Sequence, residues 1–150
     1  MAKKTFKGRP ILSGDLKGKA LVSKKQAFNL TGSYLENMFA GRTDSAPCTD
    51  PTNKELYKKD LSGSIICTTQ TVGSTFGSGC IMGMNDIGVG PKAYLFSSHI
   101  DSISASGLIM DDVWNERRVI TIDLLGDEFL EAVKTDDPIA IHEDGTVEVG

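Results

Sequence analysis

Ser74 stands in the run Thr71-Val72-Gly73-Ser74-Thr75-Phe76-Gly77-Ser78-Gly79-Cys80, shortly after the apolar segment Ser64-Ile65-Ile66-Cys67-Thr68. A serine at a strand-to-helix junction has two uses: it caps the helix, or it meets a ligand drawn to the helix's free N–H groups. The second use suits an anionic substrate group, because a helix N-terminus carries partial positive charge. Gly77, Gly79 and Gly83 fall in the first turns of the helix that Phe76, Cys80, Met84 and Ile87 mark out. Each glycine costs about 1 kcal/mol relative to alanine inside a helix, so the group needs a reason. Close approach of the backbone to a ligand or another chain would supply one.

Familiar glycine-rich motifs do not fit. Gly79 is not followed by Gly-Lys-Ser/Thr, so the P-loop lysine is missing. Gly77-x-Gly79-x-x-x-Gly83 has one spacer too many for a dinucleotide fingerprint, and Ser97-Ser98-His99 stands where such a site needs a carboxylate. A nucleophile elbow needs glycine two residues before the serine, and Val72 is there instead. His99 and His142 lie at the ends of other elements. Cys48, Cys67 and Cys80 are spaced by 19 and 13 residues, which matches neither a disulfide framework nor paired zinc ligands, so they read as reduced thiols and no metal ligand is assigned. In the loop Cys48-Thr49-Asp50-Pro51-Thr52-Asn53, Asp50 and Asn53 are the candidates for substrate contact, because function favours loops. The charge pairs Asp111-Asp112 and Arg117-Arg118 read as solvated.

The elements that must position these residues alternate. Phe6 to Leu12 and Gly18 to Val22, separated by Ser13-Gly14, predict an opening β-hairpin. Gln26 to Asp60 is long and loose for a compact domain, with a short helix whose inner face would be Tyr34, Leu35, Met38 and Phe39. Strands follow at Ser64 to Thr68, Ala93 to Phe96 and Val119 to Ile122, with helices from Ile100 to about Met110 and from Asp127 to Lys134. Pro138 to Glu143 and Thr146 to Val149 flank Asp144-Gly145, a pair favoured in two-residue hairpins. The result is an α/β domain: a partly parallel central sheet flanked by helices and antiparallel hairpins.

The 150 residues suffice for one domain, read as 1–150. With 16 Lys and Arg against 20 Asp and Glu, the net charge is −4, so a footprint for phosphate backbones is missing and nucleic acid is excluded as a partner. No segment reaches the roughly 18 apolar residues of a membrane span, and the basic start lacks a signal-peptide core, so a cytoplasmic location is expected.

The segments Phe6-Lys7-Gly8-Arg9-Pro10-Ile11-Leu12-Ser13-Gly14-Asp15, Gly18 to Val22, Leu61 to Ile65, Val72 to Ser78, Gly90 to Ala93 and Val119 to Asp123 resemble the small subunit of aconitase X. The resemblance spans nearly the whole chain and is poorest from Thr31 to Asp60. It implies a swivelling β/β/α domain that closes over a separate large subunit, in a heterodimer or larger complex. It also implies a dehydratase whose iron–sulfur cluster is held by the large subunit, with none bound by this chain. Ser74 would be the proton acceptor, with Gly73 and Thr75 beside a small anionic hydroxy-acid substrate. The family acts on phosphomevalonate or on cis-3-hydroxy-L-proline. Val72 stands where many relatives have arginine, and the lost guanidinium points to the unphosphorylated amino acid. A serine is a feeble base unless its alkoxide is stabilised, and no cation neighbours Ser74 in sequence, so help must come from the fold or a partner. The competing class is a stand-alone module that binds a small anion at Gly73 to Gly79.

Overall fold

The computed structural model describes residues 2–150. The elements run β1 (Lys4–Lys7), β2 (Arg9–Leu12), β3 (Leu16–Ser23), β4 (Phe28–Asn29), α1 (Leu30–Ala40), β5 (Ile65–Thr68), β6 (Thr71–Val72), α2 (Gly77–Ile87), β7 (Ala93–Phe96), α3 (Ser102–Asn115), β8 (Ile120–Asp123), α4 (Asp127–Ala132), β9 (Pro138–Ile141) and β10 (Thr146–Val149).

Strands β3, β5, β7 and β8 pair in parallel. β5, β7 and β8 are buried along their whole length, as strands covered on both faces must be. Their alternate side chains serve two cores. Ile65, Cys67, Leu95 and Ile122 join Phe129 and Val133 from the α4 region in one; Ile66, Tyr94 and Phe96 join Phe28, Tyr34, Ile81 and Met84 in the other, beneath α1 and α2. β9, β10 and β1 extend the sheet from β3 in antiparallel fashion, and β2 lies beyond β8 at the far edge. Yet only Gly8 separates β1 from β2, so the sheet curls until its two edges meet. A side chain at Gly8 would put its Cβ 2.6 Å from the Asp123 carbonyl oxygen, so the seam admits only glycine. The two halves of the curled sheet face each other across the first core, where α4 also packs, and α1, α2 and α3 cover the outer side: the β/β/α arrangement implied by the resemblance.

Several local expectations are corrected. The opening hairpin does not form, because β1 pairs with β10, β2 with β8, and β3 with β5 and β9. Ser13-Gly14 does lie between β2 and β3, but long-range pairing decides the partners. The closing hairpin forms between β9 and β10. His142 N–H donates to the Thr146 carbonyl, which leaves a three-residue loop with Gly145 at φ 89° rather than a two-residue turn. The segment from Gln26 to Asp60 is not loose. β4 pairs with β6, Glu55 accepts the Lys24 and Lys25 N–H groups, Asp60 accepts those of Ala46 and Ser62, and Leu56 is fully buried. Its helix turns Leu30, Ser33, Tyr34 and Asn37 inward, leaving Phe39 81% exposed, off the expected face. α3 runs to Asn115, beyond the expected end near Met110.

Candidate functional site

Ser74 is not the cap of α2. That helix begins at Gly77, its N-cap is Phe76, and no side chain caps its first turn. Ser74 lies three residues earlier, exposed, with its carbonyl accepting from the Gly77 N–H at 2.9 Å. Its hydroxyl meets another element: the oxygen stands 3.2 Å from the hydroxyl of Thr31, in the first turn of α1. The parallel pair β4–β6 brings them together by setting Phe28 against Thr71 and Asn29 against Val72. Gly73 turns the chain at φ 122°, and a Cβ there would lie 2.8 Å from Asn29 Oδ1 and 3.3 Å from Thr31 Oγ1. Glycine at 73 is therefore required by both backbone angle and space. Asn29 caps α1 by accepting from the Gly32 N–H at 2.8 Å. Ser74 thus sits where the N-termini of α1 and α2 converge, a region that favours negative charge.

A carboxylate anchors the approach to this turn. Asp101 Oδ1 accepts from both the N–H and the hydroxyl of Thr71, while Oδ2 accepts from the Ser104 N–H and caps α3. Burial would raise the Asp101 carboxyl, but the hydrogen bonds from Thr71 and Ser104 hold it below the usual carboxylate range. Gly73, Ser74 and Thr75 are all exposed, and Val72 and Phe76 beside them are about half exposed.

Asp50 and Asn53 are elsewhere in this arrangement. Asp50 accepts from the Thr52 N–H and hydroxyl. Asn53 is fully buried, donates to the Ser23 hydroxyl at 2.9 Å and accepts from the Glu55 and Leu56 N–H groups. None of these hydrogen bonds reaches Ser74, although the Thr49 hydroxyl ties the segment to the Gly32 carbonyl at 2.7 Å. Two of the three glycines of α2, Gly77 and Gly83, serve packing. A Cβ at Gly77 would press on Leu30 and Ile103, and one at Gly83 on Met38, so they let α2 lie close to its neighbours rather than to a ligand. Its place after a strand and the family resemblance signalled Ser74, whereas nothing local signalled Thr31, whose contact depends on the two-residue strand β4.

A groove of about 580 Å³ lies at the other end of α2, lined by Asn85, Gly88, Lys92, Arg117 and Arg118. Its arginines are already committed: Arg117 to Asp86 and Asp111, Arg118 to Asp112. Among the described residues no group of three or more His, Cys, Asp or Glu converges to hold a metal ion. Cys48, Cys67 and Cys80 are all buried and lie in separate stretches of the chain, and no such group unites them, so they offer no set of converging thiolates of the kind that holds an iron–sulfur cluster. These residues do not fit a cluster. No helix among the described residues is long and apolar enough to cross a membrane.

Residues 5–149 match the family described as the aconitase X swivel domain. The chain belongs to that family. Among curated proteins, the swivel domain is 28% identical over 145 residues to the phosphomevalonate dehydratase small subunit of Archaeoglobus fulgidus, covering 96% of this chain and 97% of that one. It is likewise 28% identical to the phosphomevalonate dehydratase small subunit of Aeropyrum pernix, covering 96% and 92%. The crystal structure of Thermococcus kodakaraensis aconitase X in its holo form superposes with a TM-score of 0.79, at 24% identity and 98% coverage of both chains. The solution NMR structure of a UPF0107 protein superposes with a TM-score of 0.75, at 25% identity over 98% of this swivel domain and 99% of that chain. The swivel fold expected from the sequence is therefore the fold observed.

Proposed function

We propose that this chain is the small subunit of a two-chain aconitase X dehydratase, with Ser74 as its proton acceptor. The observation that carries the reading is Ser74 itself: exposed on a fixed turn, between two helix N-termini, in a swivel domain. Removing water from a hydroxy acid needs a base for the carbon-bound proton and an electrophile for the departing hydroxyl. Ser74 Oγ, as an alkoxide, takes the proton from the carbon beside the carboxylate. The electrons of that C–H bond form the new double bond as the neighbouring C–O bond breaks. Lewis acidity for the hydroxyl is the chemistry an iron–sulfur cluster in the large subunit would supply, as the family resemblance implies. The exposure of Gly73 to Thr75 supports a site completed by that subunit, which would exclude water when it closes. Gly73 and Thr75 would line the substrate; the local bonds of Asp50 and Asn53 favour bracing for those two residues.

For the substrate, the first reading is phosphomevalonate, supported by the names of both curated relatives. Val72 favours the second, cis-3-hydroxy-L-proline: it is half exposed two residues before Ser74 and offers a phosphate no charge. Purified small and large subunits, mixed and assayed on both compounds, test this. Dehydration of phosphomevalonate alone supports the first reading, and of hydroxyproline alone the second. Activity on neither, or activity of the small subunit without its partner, removes the proposal.

A further inference from the structure

Among the described residues, the Ser74 hydroxyl has a single side-chain hydrogen-bond partner, Thr31 Oγ1 at 3.2 Å. Between two hydroxyls either can donate, so the protonation state of Ser74 decides the direction. Thr31 is partly buried in the first turn of α1, at the positive end of an 11-residue helix. A deprotonated Ser74 oxygen can only accept, so in that form the shared hydrogen bond runs from the Thr31 hydroxyl to Ser74 Oγ. The distance is fixed from both sides. Asn29 holds the start of α1 by its cap, and Gly73 lets the turn approach Asn29 and Thr31 more closely than any side chain would allow.

We propose that Thr31 is the positioning residue for Ser74: its hydroxyl donates to Ser74 Oγ and stabilises that oxygen in the deprotonated form that accepts the carbon-bound proton. The inference rests on the reading of Ser74 as the base. It answers how a serine with no cation beside it in the sequence becomes basic enough. A neutral donor aimed at the developing charge, at a helix N-terminus, does the work that a lysine would otherwise do.

The test uses the assembled two-subunit enzyme with Thr31→Val, which keeps the shape and removes the donor, and Thr31→Ser, which restores it. Losing one donor to an oxyanion lowers kcat by about 100-fold or more in enclosed sites, so a drop of roughly 10–100-fold is expected for this partly exposed pair. KM should stay within about twofold, because the bond matters to the alkoxide and not to substrate binding. The alkaline rise of kcat should move up by about one pH unit for each tenfold loss of alkoxide stabilisation. Thr31→Ser should recover turnover and pH profile; a structural role for the threonine methyl would leave it impaired. If Thr31→Val does not assemble, Thr31→Ala is read by the same criteria. Unchanged kcat and pH profile in Thr31→Val, beside an inactive Ser74→Ala, overturn this inference alone. A fully active Ser74→Ala, or a wild-type pair inactive on both substrates, overturns the function reading and this inference with it.

Discussion

At the scale of single residues, stability and catalysis come apart at Ser74. A capping serine would cost about 0.5–2 kcal/mol of stability when replaced, but Ser74 caps nothing and is exposed. Ser74→Ala should therefore change the unfolding free energy by less than about 0.5 kcal/mol, as surface substitutions do. If Ser74 is the base, kcat of the assembled enzyme should still fall by roughly 10²–10⁴. Urea unfolding of the variant and single-substrate kinetics of the pair check both halves. Asn53 should behave in the opposite way. It is fully buried, and its truncation strands the Glu55 N–H and removes one partner each from the Ser23 hydroxyl, which keeps the Gln26 carbonyl, and the Leu56 N–H, which keeps the Asn53 carbonyl. Asn53→Ala should cost about 1–3 kcal/mol of stability and leave kcat/KM of the folded pair nearly unchanged. A selective loss of kcat/KM at full stability would instead return Asn53 to the substrate.

At the scale of elements, α2 shows why composition alone misassigned the glycines. A Cβ at Gly83 would meet the Met38 Cε at 2.6 Å, the far end of a flexible side chain that can move aside. Alanine gains about 1 kcal/mol in a helix, so Gly83→Ala should stay within about 1 kcal/mol of the wild type. Gly83→Leu should destabilise by about 1–3 kcal/mol, because the extra carbons must push α1 away. Thermal or urea unfolding of both variants measures the closeness of α1 and α2. The parallel strands were legible because burial on both faces leaves a continuous apolar run, as in Ala93 to Phe96. α2 was legible because Phe76, Cys80, Met84 and Ile87 keep helical spacing. What stayed hidden depends on contacts distant in sequence. β4 is two residues long and carries no periodicity, yet its pairing with β6 sets Thr31 beside Ser74. The first three strands read as a hairpin by proximity, while the curled sheet sends each to a different partner.

At the scale of the whole molecule, one ion pair joins the seam of the curled sheet to its helical layer. Arg9 on β2 grips the buried Asp123 carboxylate on β8 through Nε at 2.9 Å and Nη2 at 2.7 Å. The same carboxylate accepts from the Ile100 N–H at 2.8 Å, just before α3. Burial alone would raise the Asp123 carboxyl, but Arg9 and the Ile100 N–H outweigh it and hold the group below its ordinary range. The folded state therefore releases this proton more readily than the unfolded chain does. Its contribution to stability is fully present above the unfolded value of about 3.9 and is lost as the pH falls through the lowered folded value. Arg9→Met removes the main compensation and leaves a buried carboxylate with one donor. Loss of a buried pair costs up to about 3–5 kcal/mol, but the Arg9 side chain is 47% exposed and its pairing is partly screened, so about 1–3 kcal/mol is expected at pH 7. The difference should shrink as the pH falls below the ordinary carboxylate range and the wild-type carboxylate is itself protonated. Urea midpoints of both proteins across that range measure it; a gap independent of pH would mean that Arg9 acts through packing and not through the charge on Asp123.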